Sequence, residues 1–335
     1  MLRLLAAVVL AGAPALASAA EPPPIIDVHM HAMPADAQGP PPMAMCTPID
    51  PFPAWDGKGA YGAVAMGMAK HPACDDPVWS PTSDEEMLQR NLAQMKKYNV
   101  HGVLSGPPDY VQRWQQAAPD RFYPGLMFSI GPHQASIAQL RALHSAGRLA
   151  VFGEIGNQYH GVAPDDPRME AYWALAEELD IPVAIHFGPG PPGTPLLGFP
   201  HHRAALSSPL SLEPVLNRHP HLRVYVMHAG YPMLDDMLAL LYAYPQVYVD
   251  TGIIDYAMPR AGFYRYLKGL VDGGFENRIM FGSDQMVWPE TLGRSIQVIR
   301  DAPFLSKRQK RDILFNNAVR FLRLDPANLD KPPGK

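Results

Sequence analysis

The stretch IIDVHMHAMP, Ile25 to Pro34, sets two histidines one residue apart at the end of a short apolar run. Residues two apart in a strand point to one face, so His29 and His31 project together from the C-terminal end of a strand spanning Ile25 to Ala32. A lone histidine at a strand terminus most often just satisfies a nearby backbone group. What the rest of the chain places beside this pair therefore decides both fold and function. Asp27 shares their face one pleat deeper and reads as an interior polar residue, not a third ligand.

Seven more apolar runs follow: Val100 to Ser105, Tyr123 to Ser129, Ala150 to Ile155, Pro182 to Phe187, Arg223 to Ala229, Val247 to Thr251 and Arg278 to Gly282. Between them lie stretches with apolar residues at three- and four-residue spacing, such as SDEEMLQRNLAQMKKYN, where Ser83 can cap and Glu86 completes a capping box. Alternation of this kind predicts parallel strands joined by helical crossovers, and eight strands are the number that closes a barrel. An open doubly wound sheet is the rival. It is disfavoured because no G-x-G-x-x-G opens the first helix and the notable polar residues follow several different strands. The expectation is an α/β fold, a (β/α)8 TIM barrel over residues 21–325. Its enlarged first βα loop, residues 33–81, is Pro/Gly-rich, shows no sustained period and is a candidate lid. Residues 326–335 read as a disordered tail.

The ends of the other runs carry the chemistry. VFGEIG delivers Glu154, PVAIHFG delivers His186, VYVMHAG delivers His228 and IMFGSD delivers Asp284. With His29 and His31, these imidazoles and carboxylates converge on the C-terminal mouth of a barrel, where active sites are built. Packing them together without compensation is costly, and a divalent cation offsets that cost. A nitrogen and oxygen donor set suits Zn, Mn, Fe or Ni, with Zn2+ the first choice. The set exceeds the four ligands of tetrahedral zinc, so either two ions share it or some members stand behind the ligands.

The ordered set DVHMH, GEIG, AIHFG, VMHAG and FGSD, followed by the closing helix ILFNNAVRFLRL, resembles the amidohydrolase superfamily of metal-dependent hydrolases across nearly the whole mature chain. HAGYP and that helix are similar to the branch containing aminocarboxymuconate semialdehyde decarboxylases. The resemblance implies that His29, His31 and Asp284 hold one metal, joined by His186 in single-metal members. In two-metal members the fourth-strand group bridges both ions while His186 and His228 hold the second. Glu154 stands where many relatives carry a carboxylated lysine or no ligand. It keeps both arrangements open.

A divalent ion would lower the pKa of its water toward ~7. Asp284 can take that proton and pass it to the leaving group, and His228 can orient the water or stabilise the oxyanion. The expected reaction is hydrolysis of an ester, lactone, amide or cyclic C–N bond. Two rivals are a nonhydrolytic decarboxylase of an unsaturated or aromatic acid and a noncatalytic metal- or substrate-binding barrel. For substrate contacts the candidates are Tyr231, Trp288 and Arg203, with Tyr159, Tyr256 and Arg260 as further loop residues. His101, His144, His219 and His221 read as structural, whereas His133, His160, His201 and His202 lie in loops on the active face and read mainly as exposed.

A formal charge of −4 offers no basic field, so nucleic acid is excluded as a partner and a small-molecule substrate is expected. The first twenty residues, with Arg3, an apolar run and the ending Ala17-Ser18-Ala19, form a cleavable secretory signal cut after Ala19 or Ala20. The apolar run is too short for a spanning anchor. The protein is expected to be exported, periplasmic or secreted. In that oxidising setting Cys46 and Cys74 can pair, and association into homo-oligomers through barrel helices stays open.

Overall fold

The computed structural model describes residues 22–131 and 134–329, so the expected signal sequence, His133 and the end of the tail lie outside the described residues. Eight strands run parallel: β1 (Ile25–His31), β2 (Val100–Ser105), β3 (Phe122–Phe128), β4 (Val151–Ile155), β5 (Val183–His186), β6 (Val224–Met227), β7 (Val247–Asp250) and β8 (Ile279–Met280). Each pairs with its successor in chain order. The seam between β8 and β1 is held just past the end of β8: Val28 N–H donates to Phe281 O at 2.9 Å and Asp284 N–H to His29 O at 2.7 Å. The result is the expected (β/α)8 barrel.

Strand positions agree with the apolar runs, while several ends do not. The sixth run stops at Met227 because His228 and Ala229 take positive φ and turn the chain away. Helices cover the barrel through amphipathic faces; in Asp84–Tyr98, Met87, Leu88 and Met95 are buried. Ser83 caps this helix as expected, accepting from Glu86 N–H, but Glu86 reaches past the cap to Thr82 N–H at 2.9 Å. The capping box is thus displaced by one residue.

Ile26, Val28, Val103, Val151, Ala184, Tyr225, Met227 and Met280 form a cluster separate from the main core. Phe321 of the last helix closes it at the strand beginnings, with its ring 5.6 Å from Tyr225 and 4.7 Å from Tyr248. Leu329 joins this cluster and is 4% exposed, and Pro326–Asn328 form a 3-10 turn. The tail expected to be disordered from Pro326 is therefore ordered to residue 329, because a leucine there finds an apolar floor to cover.

The segment 33–81 is more regular than its sequence suggests. Ala44–Met45 pair antiparallel with Val78–Trp79, and a helix spans Tyr61–Lys70. That helix escapes a periodicity reading because Tyr61 is its one buried residue. Cys46 and Cys74 form a disulfide with Cα atoms 5.9 Å apart. Closing a loop of 28 residues contributes roughly 3 to 4 kcal/mol on the chain-entropy account. The segment is tied to loops after three strands: Ile49 N–H donates to Ala257 O at 2.9 Å, Trp288 Nε1–H to Met43 O at 3.0 Å, and Tyr61 packs on Gly193. Gly193 sits at φ +77°, and a Cβ there would lie 2.1 Å from Tyr61 Cε1, so only glycine admits the ring. These ties span the C-terminal mouth of the barrel.

Candidate metal centre

All six expected ligands meet at this mouth. They form three overlapping triads whose donor atoms lie within 4.8 Å of one another: His29, His228 and Asp284; His29, His31 and Glu154; Glu154, His186 and His228. Strand ends position four of them directly. His228 and Asp284 instead lie on turns with φ of 57° and 49°, conformations that cost of order 1–3 kcal/mol in a non-glycine residue and cluster at functional sites. The surrounding fold over-determines both turns. Asp250 Oδ1 accepts from His228 N–H at 3.0 Å and Gly252 N–H at 2.8 Å, and Tyr256 Oη–H donates to Asp284 O at 2.9 Å.

Glu154 is central and faces two ways. Its Oε1 lies 2.7 Å from His186 Nδ1, while Oε2 lies 3.2 Å from His31 Nε2 and 3.7 Å from His29 Nε2. Asp284 Oδ1 approaches the same two β1 histidines, 3.1 Å from His31 Nε2 and 3.7 Å from His29 Nε2. His228 Nε2 lies 3.0 Å from His186 Nδ1. The site is nearly sealed, with side-chain exposure of 11% for Glu154 and 8% for Asp284.

The donor set fits a cation on the accounting of its buried atoms. His29 Nε2, His186 Nε2 and Asp284 Oδ1 are buried without a hydrogen-bond partner, a state that ordinarily costs about 1–3 kcal/mol per group. His29 has its other nitrogen engaged: Nδ1 is 3.1 Å from Asp250 Oδ2, which as N–H donor leaves a lone pair on Nε2. His228 Nδ1 similarly faces Gly252 O at 2.9 Å and His31 Nδ1 faces Ser105 Oγ at 3.1 Å. Such outer partners orient metal-binding imidazoles.

Electrostatics without an ion make the same demand visible. Burial works against a charged His31, but the Asp284 and Glu154 carboxylates prevail and raise its pKa to about 9. Burial likewise opposes charge on His29, and Asp284 and Asp250 overcome it and hold its pKa well above the ordinary value. Burial would raise Asp284, yet His29, His31 and His228 bring it down to about 2. His228 is pushed down to about 4 by burial and by His186 and His29. Protons on the β1 histidines thus balance the carboxylates in the place a divalent cation would take.

The substrate candidates fare unequally. Trp288 is buried and anchors the 33–81 segment through Met43 O, and Tyr231 packs on Tyr266 at 5.1 Å between ring centroids. Arg203 is exposed and donates to Pro200 O and His202 O in its own loop. Of the three, Tyr231 meets a ligand residue through its backbone, its N–H donating to His228 O at 2.9 Å. Arg260 bonds Asp255 O, and Tyr256 supports the Asp284 turn. Tyr159 does reach the site: its ring centroid is 4.6 Å from that of His186. Burial, then Glu154 and Asp284, hold its phenol well above the ordinary pKa.

His202, expected among exposed loop residues, is buried, with Nε2 3.2 Å from Gln158 Nε2. His160 and His201 are exposed. His101 lies at the opposite barrel end, and His219 is clamped between Glu170 and Glu177 at 3.0 Å each, both as expected. Asp27 is no ligand: Oδ1 accepts from His29 N–H at 2.9 Å and Ser283 N–H at 3.0 Å, and burial raises its pKa to about 7.

Three supporting residues escape the sequence reading: Asp250, Ser105 and Gln285, the last accepting from His31 N–H at 3.0 Å and donating to His31 O at 2.7 Å. Asp250 had a readable signal, since it ends the seventh apolar run as the ligands end theirs. Ser105 and Gln285 had none.

Solved structures with the same fold include an uncharacterized TIM-barrel protein from Bordetella bronchiseptica, 17% identical, covering 92% of this chain and 99% of that one with a TM-score of 0.61. A probable 2-pyrone-4,6-dicarboxylic acid hydrolase from Acinetobacter baumannii, solved with citric acid bound, is 17% identical over 89% of this chain and 99% of its own, with a TM-score of 0.54. For 5-carboxyvanillate decarboxylase from Sphingomonas paucimobilis the values are 15% identity, 90% and 99% coverage and a TM-score of 0.52. At such identities the likeness speaks to the fold alone. No curated protein matches the sequence. The amidohydrolase family model matches residues 26–324, a span that takes in every strand but the first residue of β1 and all six converging ligands, and the chain belongs to that family.

Proposed function

We propose that the protein is a metal-dependent hydrolase that opens an ester, lactone, amide or cyclic C–N bond of a small organic substrate, with Zn2+ as the metal. The observation that carries this reading is the two-sided placement of Glu154, one oxygen toward His186 and the other toward His31 and His29. That placement suits a carboxylate shared by two ions. His29, His31 and Asp284 would hold one ion, and His186 and His228 the other. Bound there, divalent metal supplies Lewis acidity and a water activated at neutral pH.

The protein's own groups do the rest. Asp284 Oδ1, buried and without a hydrogen-bond partner, can accept a proton from the attacking water and return it to the leaving group. Its depressed pKa keeps it ionised. The near-complete burial of Glu154 and Asp284 excludes bulk water from the reacting volume, which strengthens every charge interaction within it.

A lyase reading stays in play because decarboxylases share the fold. Product analysis in 18O-labelled water separates the two. Incorporation of label into an acid product supports hydrolysis, while carbon dioxide release with no label incorporated would overturn it. Metal content is an independent check: two ions per chain fits Glu154 as a bridge, and one ion demotes it.

We also propose that the protein is exported. It rests on the N-terminal twenty residues and on the Cys46–Cys74 bridge, which suits an oxidising compartment. N-terminal sequencing of protein from the periplasmic or secreted fraction tests it, with a start near Glu21 expected.

A further inference from the structure

We propose that a single water is built into the barrel behind His186, bonded to Asn157 Nδ2 and His186 Nε2, and that through it Asn157 acts as a positioning residue for His186. The proposal rests on the reading of His186 as a metal ligand and not on the bond that is hydrolysed.

The geometry of the His186 ring comes first. An imidazole can turn only one nitrogen toward a given point, and the nitrogen His186 turns to the other ligands is Nδ1, 2.7 Å from Glu154 Oε1 and 3.0 Å from His228 Nε2. Nε2 is therefore on the far side of the ring, whereas His29 Nε2 and Asp284 Oδ1, 3.7 Å apart, face each other across the centre. It is buried and has no hydrogen-bond partner in the protein.

Asn157 supplies the second group. It opens the turn Asn157–His160, one glycine after β4, and is 3% exposed. Its Oδ1 accepts from Ile130 N–H at 2.8 Å, which fixes the orientation of the amide and makes Nδ2 its free branch. Nδ2 too is buried without a partner. Asn157 and His186 line the same cavity of about 10 Å³, walled otherwise by apolar side chains that include Val162, Phe187 and Leu206. That is space for one water and nothing larger. Gln158 also borders it, but its amide is spent: Nε2 donates to Ser207 Oγ at 2.8 Å and Gly188 O at 3.1 Å, and Oε1 accepts from Gly188 N–H at 3.3 Å.

Donor counting then names the occupant. With the Nδ1 lone pair given to a metal, the neutral ring carries its proton on Nε2. Nε2–H and Nδ2–H are two donors on one small space, and neither can satisfy the other. A water oxygen, with two lone pairs, accepts from both. The other three imidazoles of the centre have partners of this kind within the protein: Asp250 behind His29, Gly252 O behind His228 and Ser105 behind His31. His186 completes the set with a water and an amide, which hold its ring orientation and its tautomer.

The test uses the full-length mature protein. A high-resolution crystal structure of the metal-loaded form should show a density peak roughly 2.7–3.2 Å from both Asn157 Nδ2 and His186 Nε2. Asn157→Asp keeps an oxygen for Ile130 N–H and offers the water a carboxylate, so the peak should remain and Zn2+ affinity, read by chelator competition, should rise about threefold or more. Asn157→Leu removes the amide, so the peak should vanish and affinity fall about 10- to 100-fold. No peak in wild-type protein with both side chains ordered would overturn the site. Equal affinity in all three proteins would overturn the coupling to His186. So would aspartate binding like wild type while leucine binds weakly, since Asn157 would then serve only to hold Ile130. A peak in protein that takes up no Zn2+ would support the water and refute the metal reading on which its role rests.

Discussion

His101 and His29 are buried histidines at opposite ends of the same barrel, and they differ in how their nitrogens are spent. At the floor, His101 Nδ1 lies 3.1 Å from Asp120 O and Nε2 lies 3.2 Å from Arg121 Nη1. Both nitrogens are satisfied within the protein, and burial, assisted by Arg121, lowers the pKa to about 4. At the mouth, His29 spends Nδ1 on Asp250 and holds Nε2 without a partner between two carboxylates. Burial alone does not separate a structural histidine from a functional one. The count of unspent lone pairs does.

The comparison can be broken in several ways. Asp284→Asn should lower kcat/KM about 10²- to 10⁴-fold, the usual worth of a positioned proton acceptor; steady-state assays within threefold of wild type would remove Asp284 from proton transfer. Asp250→Asn should weaken metal binding about 10- to 100-fold, because it loosens the imidazole that Asp250 orients. Chelator competition reads this directly, and unchanged affinity would make Asp250 a floor-like structural residue.

At the other end, His101→Ala should leave the ions per chain unchanged and cost roughly 1–3 kcal/mol of stability, since it removes a buried ring and its hydrogen bonds to Asp120 O and to Arg121 Nη1, which keeps Asn99 Oδ1. Loss of metal in that variant would erase the distinction between the two ends. The smallest effect is in pH. In chelated protein, His31 binds its proton more tightly folded, at about 9, than at the ordinary 6.5 of the unfolded chain. Its contribution is complete below 6.5 and lost as pH rises toward 9, so the urea midpoint should fall over that interval. His101 acts with opposite sign: the unfolded chain takes up the proton first, so stability rises between about pH 4 and 6.5. Metal-loaded protein should show no His31-linked fall between pH 7 and 9, and an equally flat profile after chelation would contradict the proposed balance of protons and carboxylates.

The legible part of this molecule is what repeats. Eight apolar runs alternate with helical spacing, and five of them lead into or end on metal-competent side chains, so fold and ligands could be read together. Less legible was anything set by contacts distant in sequence. Trp288 follows a strand like a substrate residue, yet its indole is spent on Met43, 245 positions away. Arg203 and Tyr231 likewise turn to their own loop and to a covering helix. Helix Tyr61–Lys70 is held by a disulfide, a hairpin and a glycine contact outside itself, so no periodic face marks it. Asp250 was readable by the same rule as the ligands, but its role as a partner to His29 spans 221 positions and needed the folded barrel.

The last helix carries a π-helical turn at Asp312–Asn316, and Ile313 O there accepts from Phe281 N–H at 2.9 Å. This joins the outer layer to the strand end that delivers Asp284, next to the seam with β1. The centre is consequently distributed over the entire length of synthesis. A nascent chain lacking its final fifty-two residues has neither Asp284 nor the Ile313 carbonyl that receives Phe281 N–H, so a metal could be held by the full ligand set only after both are made.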